Sequence, residues 1–218
     1  MTLKFIDLYN DITGQAWSMF DSEVESKEDF EASVTTSIQK ALAELWFSHD
    51  FSFRKKEQVV KTKVGVNKYE APDGSIYRIS GKFAVTFDDE YLSYVLDGSN
   101  YKNETGEPEA FTLQNDKLVV YPTPDERYEI KVGYLSNTPV CDVDDNPKYN
   151  FSEDNDYLNI SEKYEDMFKN TLLPLAMVYL IASETDENYS AYMWQYERAL
   201  KKLVKISVGI NADRSIGW

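Results

Sequence analysis

The hydrophobic positions change period twice along the chain. Near the start, Leu3, Phe5, Ile6, Leu8, Tyr9 and Ile12 form a short apolar stripe, which predicts a helix over residues 3–12 ended by Gly14. The clearest amphipathic segment is 27–48. There Phe30, Val34, Ile38, Ala41, Leu42, Leu45 and Trp46 recur at steps of three and four. Ser26 with Asp29 three residues on gives an N-cap pattern, and acids fill the first turn.

Beyond His49 the period shortens. Runs of β-branched and aromatic residues occupy 58–64, 76–79, 83–87, 91–95, 110–113, 118–121 and 128–135. Turn chemistry separates them, as in Pro72-Asp73-Gly74, Asp97-Gly98, Asn115-Asp116 and Pro122-Thr123-Pro124-Asp125. Residues 111–113 and 118–120 flank four turn residues, which predicts a hairpin. Residues 128–134 alternate strictly, which predicts a strand with one wet face.

Helical patterning returns over 158–183, capped near Asn159 or Ser161. Its half from Leu172 to Ala182 is apolar on nearly all sides, which predicts the most buried element, kinked at Pro174. A last helix spans 187–207, with Tyr189, Tyr192, Met193, Tyr196, Leu200, Leu203 and Val204 on one stripe. The short turn at Asp186-Glu187-Asn188 makes the two an antiparallel pair. The expected fold is α+β: a helical bundle formed by the N- and C-terminal helices (1–50 and 158–208), with an inserted antiparallel β-sandwich or barrel-like domain (51–140). An acidic loop (141–157) and an irregular docking tail (209–218) complete the division.

Composition narrows the function. The 218 residues carry 38 acids against 23 bases, a formal charge of −15. One Cys and one His leave no intrachain disulfide, Cys-based zinc site or His-cluster metal site. The longest apolar run has 11 residues, too short to span a bilayer, and Asp7 and Asp11 interrupt any signal-peptide pattern. The charge opposes autonomous DNA binding. The acids are uneven: residues 1–50 hold 10 against 3 bases, and 141–157 hold 6 against 1.

Candidate chemistry is sparse. His49 has no nucleophile motif beside it and reads as a helix-terminal residue. Cys141 is followed by Asp142, Asp144 and Asp145, which disfavour a thiolate, so it reads as an inert thiol. Asp142, Asp144, Asn146, Asn150 and Glu153 fall at calcium-loop positions 1, 3, 5, 9 and 12. Pro147 stands where that loop needs Gly, so a solvated acidic loop is the favoured reading and no metal is expected. Asp88-Asp89-Glu90 reads as a turn. No phosphate-binding Gly-rich motif occurs. Arg198, Lys201, Lys202 and Lys205 share a helix face, which reads equally as a surface for DNA or a partner's acids and as a solvated face. The tail's Ile210, Ile216 and Trp218 are not suited to solvent and suggest docking on this chain or another.

The order of these features resembles the adaptor, or head-to-tail connector, proteins of short-tailed bacteriophages. The matching residues are Ala41-Leu42-Ala43-Glu44-Leu45-Trp46-Phe47, then Phe51-Ser52-Phe53, then Lys68-Tyr69-Glu70-Ala71-Pro72-Asp73. Leu118-Val119-Val120-Tyr121-Pro122-Thr123-Pro124, Tyr128-Glu129-Ile130-Lys131-Val132-Gly133-Tyr134, Ser161-Glu162-Lys163-Tyr164-Glu165-Asp166 and Trp194-Gln195-Tyr196-Glu197-Arg198-Ala199-Leu200 follow in order. Ala71 departs from the family's usual Leu, as does the long acidic loop. The chain is also similar to ring proteins of phages of gut Bacteroidetes.

The resemblance implies a structural virion protein of the head–tail neck, made in the host cytoplasm, without catalysis or cofactor. It implies a dodecameric ring of self-contacts that binds the portal protein and a further tail or ring protein. Genomic double-stranded DNA would pass through the lumen without sequence recognition, and no membrane is involved. A terminal arm reaching the portal would be the tail, through Ile210, Arg214, Ile216 and Trp218. The alternative function is an aromatic-surface ligand- or carbohydrate-binding module, because 16 Tyr and 4 Trp can stack on ring faces.

Overall fold

The computed structural model describes residues 2–20, 26–101, 103–181 and 186–207. The chain separates into two compact units, 1–53 with 138–218 and 54–137. The fold is α+β, with helices from both ends of the chain and a mainly antiparallel set of strands between them.

In the first unit, α1 spans Phe5–Phe20 and α2 spans Lys27–Ser48. The expected stop at Gly14 does not occur. The apolar stripe continues past it through Ala16, which is buried, and Trp17 meets Phe30 edge-on at 5.4 Å. Gly14 lies on the open side, with nothing where a Cβ would be, so its presence costs helix propensity but blocks no packing. At α2 the N-cap forms as expected, with the Ser26 hydroxyl oxygen accepting from Asp29 N–H at 3.1 Å. Helices α3 (Glu162–Leu180) and α4 (Glu187–Ser207) complete the unit. Ser161 occupies the N-cap position of α3, and the helix continues through the buried Pro174. The apolar half of α3 is buried except on one side, where Tyr179 is exposed and donates to Glu44 of α2. That bond, then burial, pushes the Tyr179 phenol up to about 12.

Phe30, Val34, Ile38, Leu42 and Trp46 of α2 meet Phe168, Leu172 and Leu175 of α3 and Tyr196 and Leu203 of α4 in one core. Phe53 joins it, 4.8 Å from Phe51 and 5.6 Å from both Trp46 and Phe168. Ser52 Oγ and Tyr164 OH lie 2.7 Å apart at its margin.

The second unit begins with β1 (Lys55–Lys61), β2 (Lys68–Glu70), β3 (Gly74–Ile76), β4 (Arg78–Ile79) and β5 (Lys82–Phe83). It continues with β6 (Val85–Phe87), β7 (Glu90–Tyr91), β8 (Ser93–Tyr94), β9 (Thr105–Gly106) and β10 (Ala110–Gln114). It ends with β11 (Lys117–Tyr121), β12 (Thr123–Pro124) and β13 (Glu129–Ser136). One sheet has the order β1-β13-β6-β7, with β3 also on β13. A second has the order β2-β11-β10-β8. Val60, Val85, Ile130 and Val132 of the first and Phe111, Leu118 and Val120 of the second share a core with Leu92. Neither sheet closes on itself, so the unit is a sandwich rather than a barrel.

The β10–β11 hairpin is tighter than the pattern suggested. Gln114 pairs with Lys117, leaving Asn115-Asp116 as a two-residue turn with φ of 50° and 59°. Both are residues that tolerate the left-handed conformation this turn requires. Asp88-Asp89 turns in the same way between β6 and β7. Two short pairings, β8 with β10 and β9 with β12, are parallel, which the expected wholly antiparallel arrangement missed. Strand β13 alternates only in its first half. From Val132 onward the strand is buried on both faces, with Tyr77 over Gly133 at the position a Cβ would take, and β3 pairs beside it.

The acidic segment is not a free loop. Within it β14 (Val140–Cys141) pairs with β15 (Pro147–Lys148) and β16 (Tyr157–Leu158). Lys4 bridges to Tyr157, and Leu158 N–H donates to the Leu3 carbonyl at 3.1 Å. Phe151 and Leu158 are buried in the helical core, where Phe151 lies 5.1 Å from Phe5. A segment rich in acids is thus held by two apolar anchors that its composition conceals.

Candidate docking face on the last helix

Helix α4 is amphipathic. Its stripe of Tyr196, Leu203 and Ser207 is buried, with Tyr192, Met193, Leu200 and Val204 packed at the margins. Burial, then the nearby Glu44 carboxylate, pushes the Tyr196 phenol up to about 12, so it stays neutral across the physiological range. The opposite face exposes Trp194 at 60%, Ile206 at 55%, and Arg198, Lys201, Lys202 and Lys205.

The Arg198 guanidinium lies 5.3 Å from the Trp194 ring centroid. This contact holds a flat ring and a planar cation side by side. With Met167 and Asn170 of α3, the side chains of Trp194, Gln195, Arg198, Ala199 and Lys202 line an open groove of about 450 Å³. The groove holds no nucleophile and no carboxylate. It offers an aromatic ring beside two cations, which suits an apolar or acidic protein segment. Sequence reasoning found the four bases on one face but missed Trp194 as an exposed ring. The α3 contribution is a tertiary feature with no local signal.

The calcium-loop positions are arranged for a turn. Asp142 Oδ1 accepts from the Asp144 and Asn146 backbone N–H groups, each at 2.9 Å, and Asn146 Nδ2 donates to Oδ2 at 3.0 Å. The Asn146 side-chain bond, then its backbone bond, holds the Asp142 carboxyl below its usual range. Asp145, with φ of 64°, makes the sharp turn, and Pro147 enters β15 opposite Cys141. Glu153 directs its N–H to Asp156 at 3.0 Å, and Asn150 is exposed. Among the described residues no three His, Cys, Asp or Glu side chains are grouped to hold a metal ion.

The anchor of this segment is Asp156, which the sequence reading passed over. It is 1% exposed and accepts from Lys148 Nζ at 2.7 and 2.8 Å and from Ser152 N–H at 2.6 Å. Burial opposes its charge. The bonds from Lys148, Ser152 and Glu153 outweigh that and hold the carboxyl below the ordinary range.

His49 is the C-cap residue of α2, its ring 5.4 Å from Phe51 and its Nδ1 3.0 Å from Ser48 Oγ. Cys141 is buried in β14 and forms no disulfide. The aromatic residues of the sandwich do not form an open row. Phe83, Tyr94 and Phe111 cluster together, Tyr101 stacks on Tyr121 at 5.7 Å, and Lys82 lies over the Tyr91 ring. Ile210, Arg214, Ile216 and Trp218 lie outside the described residues.

The exposed aromatic–cationic face of α4 is a surface suited to contact with another protein. The family model described as SU10 adaptor protein matches residues 6–215, and the chain belongs to that family. It is a bacteriophage adaptor protein, of a class whose members contact other virion proteins. A search of curated proteins finds no match. Among the described residues no helix is long and apolar enough to cross a membrane.

Proposed function

We propose that this chain is the adaptor between portal and tail, a ring of about a dozen copies that extends the DNA channel and joins head to tail. The observation that carries this reading is the adaptor-family match over residues 6–215, which spans both units rather than one. Two features of the chain support it. The first is the α4 face, where Trp194 and Arg198 present the aromatic and guanidinium pair enriched at interface hot spots. The second is the charge. The helical unit carries 24 acids against 11 bases, and an acidic wall repels phosphate so that DNA slides rather than sticks.

In this reading Ile210, Arg214, Ile216 and Trp218 form the arm that reaches the portal. The test is capture of the chain on immobilised portal protein of the same phage. Removal of residues 209–218 is expected to abolish capture while far-UV circular dichroism stays unchanged. Undiminished capture would take the arm out of the account.

A further inference from the structure

The two sheets of the sandwich run in the same sense. Each starts at one side, with β1 and β2, and finishes at the other, with β7 and β8. The chain passes from β1 to β2 through a turn held by the Lys63–Val66 bridge and by Lys63 N–H donating to Tyr69 OH at 3.1 Å. It passes from β7 to β8 through the single buried residue Leu92. Among the described residues all four strands end their sheets, so each side of the sandwich presents a pair of edge strands.

The two edge pairs differ in charge. Residues 55–70 carry five Lys against two Glu, whereas residues 88–109 carry seven acids against one Lys. On the basic side, Lys63 and Lys68 are exposed, beside Val64 at 65% and the exposed Val59 and Val66. Other lysines there are engaged within the chain: Lys61 pairs with Glu129 at 3.3 Å and Lys55 lies over Tyr77. On the acidic side, Asp88, Glu90, Glu107 and Glu109 line a groove of about 430 Å³ with Phe87, Tyr91, Leu92 and Pro108. Leu96 stands exposed at 87% nearby in sequence, after the exposed Tyr94.

Lysines on an edge strand commonly serve only to repel other strands. That explanation covers one side and leaves the other unexplained. An edge that repels its own copy attracts a surface of the opposite sign, and this molecule carries that surface at the far end of the same two sheets. Each side also has exposed apolar side chains to bury once the charges have aligned.

We propose that the β1/β2 edge of one copy docks against the β7/β8 edge of the next, a heterologous contact that closes the ring. This inference rests on the ring reading above and specifies its interface. The occupant of the acidic groove is the lysine-bearing turn of a second copy of this chain. The contact weakens with salt, because the paired charges sit at the rim.

Charge reversal in trans tests it. One full-length variant carries K63E and K68E, so both its edges are acidic. A second carries E90K, E104K, E107K and E109K, which leaves three acids against five Lys over residues 88–109, so both its edges are basic. All six positions are exposed, and unchanged melting curves confirm that the variants fold. Ring formation is read by mass photometry, alone and on the portal protein. Each variant by itself is expected to lose at least tenfold in ring population. Their equimolar mixture is expected to regain it, because copies then alternate and every contact joins opposite charges. Wild-type assembly with both variants assembling equally well would overturn this interface and leave the ring reading standing. Loss without recovery in the mixture would also overturn it, since the two edges would not be each other's partners. A wild-type chain that never forms a ring would overturn the ring reading, and this interface with it.

Discussion

In the helical unit, Trp46, Phe51 and Phe168 are fully buried around Phe53, and their positions come from both ends of the chain. In the β unit, the core is eight residues, aliphatic apart from Phe111, drawn from within residues 60–132. The first core forms only when segments more than a hundred residues apart meet. The second comes from one continuous segment, closed where Val60 pairs with Ile130. The charge is divided in the same way: the helical unit carries 24 acids against 11 bases, while the β unit carries 14 against 12, with five Lys over residues 55–70 and seven acids over 88–109. One unit therefore packs the N- and C-terminal helices around a shared core and is strongly acidic. The other is close to neutral but electrically polar, which suits contacts between like copies.

The comparison can be broken most sharply at Trp46. No Trp lies within residues 54–137, so Trp fluorescence reports on the helical unit alone. Trp46→Ala removes a fully buried indole, and a loss of about 3–5 kcal/mol is expected in denaturant unfolding followed by Trp emission. The β unit is most sensitive at Gly74, where a Cβ would run into the Leu135 carbonyl of the neighbouring strand. Gly74→Ala is expected to cost about 2–3 kcal/mol, seen in far-UV dichroism with the Trp-detected transition less affected.

A smaller effect is expected at Asp156. Asp156→Asn weakens the buried pair with Lys148, for about 2 kcal/mol in the Trp-detected transition. The pH dependence has a definite sign. The folded carboxyl titrates below its unfolded value, so its stabilisation is complete above about pH 4. It is lost as the pH falls through the folded value, and the wild type and variant should converge in acid. Trp194→Ala, on the exposed α4 face, is expected to change stability by less than about 0.5 kcal/mol. Its effect belongs to partner capture, which should fall while the melting curve stays in place.

The sequence revealed most where periodicity was long. The helices 27–48 and 187–207 were legible to within a residue, because each has an uninterrupted apolar stripe and a polar start. Gly14 misled because a glycine in a short pattern looks like a stop, and only tertiary packing of Ala16 and Trp17 shows that the helix continues. The strand runs were visible as β-branched and aromatic clusters, but the parallel pairing of β8 with β10 depends on topology rather than local pattern. The acidic segment concealed its strands, since two-residue strands have no period and Phe151 stands alone among polar neighbours. Of the candidate surface, the four bases of α4 were readable from their spacing. The groove that Arg198 and Lys202 line was not, because Met167 and Asn170 come from another helix.

The central claim is that this adaptor-family chain assembles as a ring on the portal. Mass photometry of the purified protein, alone and mixed with the portal protein of the same phage, tests it most directly. The account predicts either a ring from the chain alone or a portal peak heavier by about a dozen copies. A monomer that leaves the portal peak unshifted would contradict it.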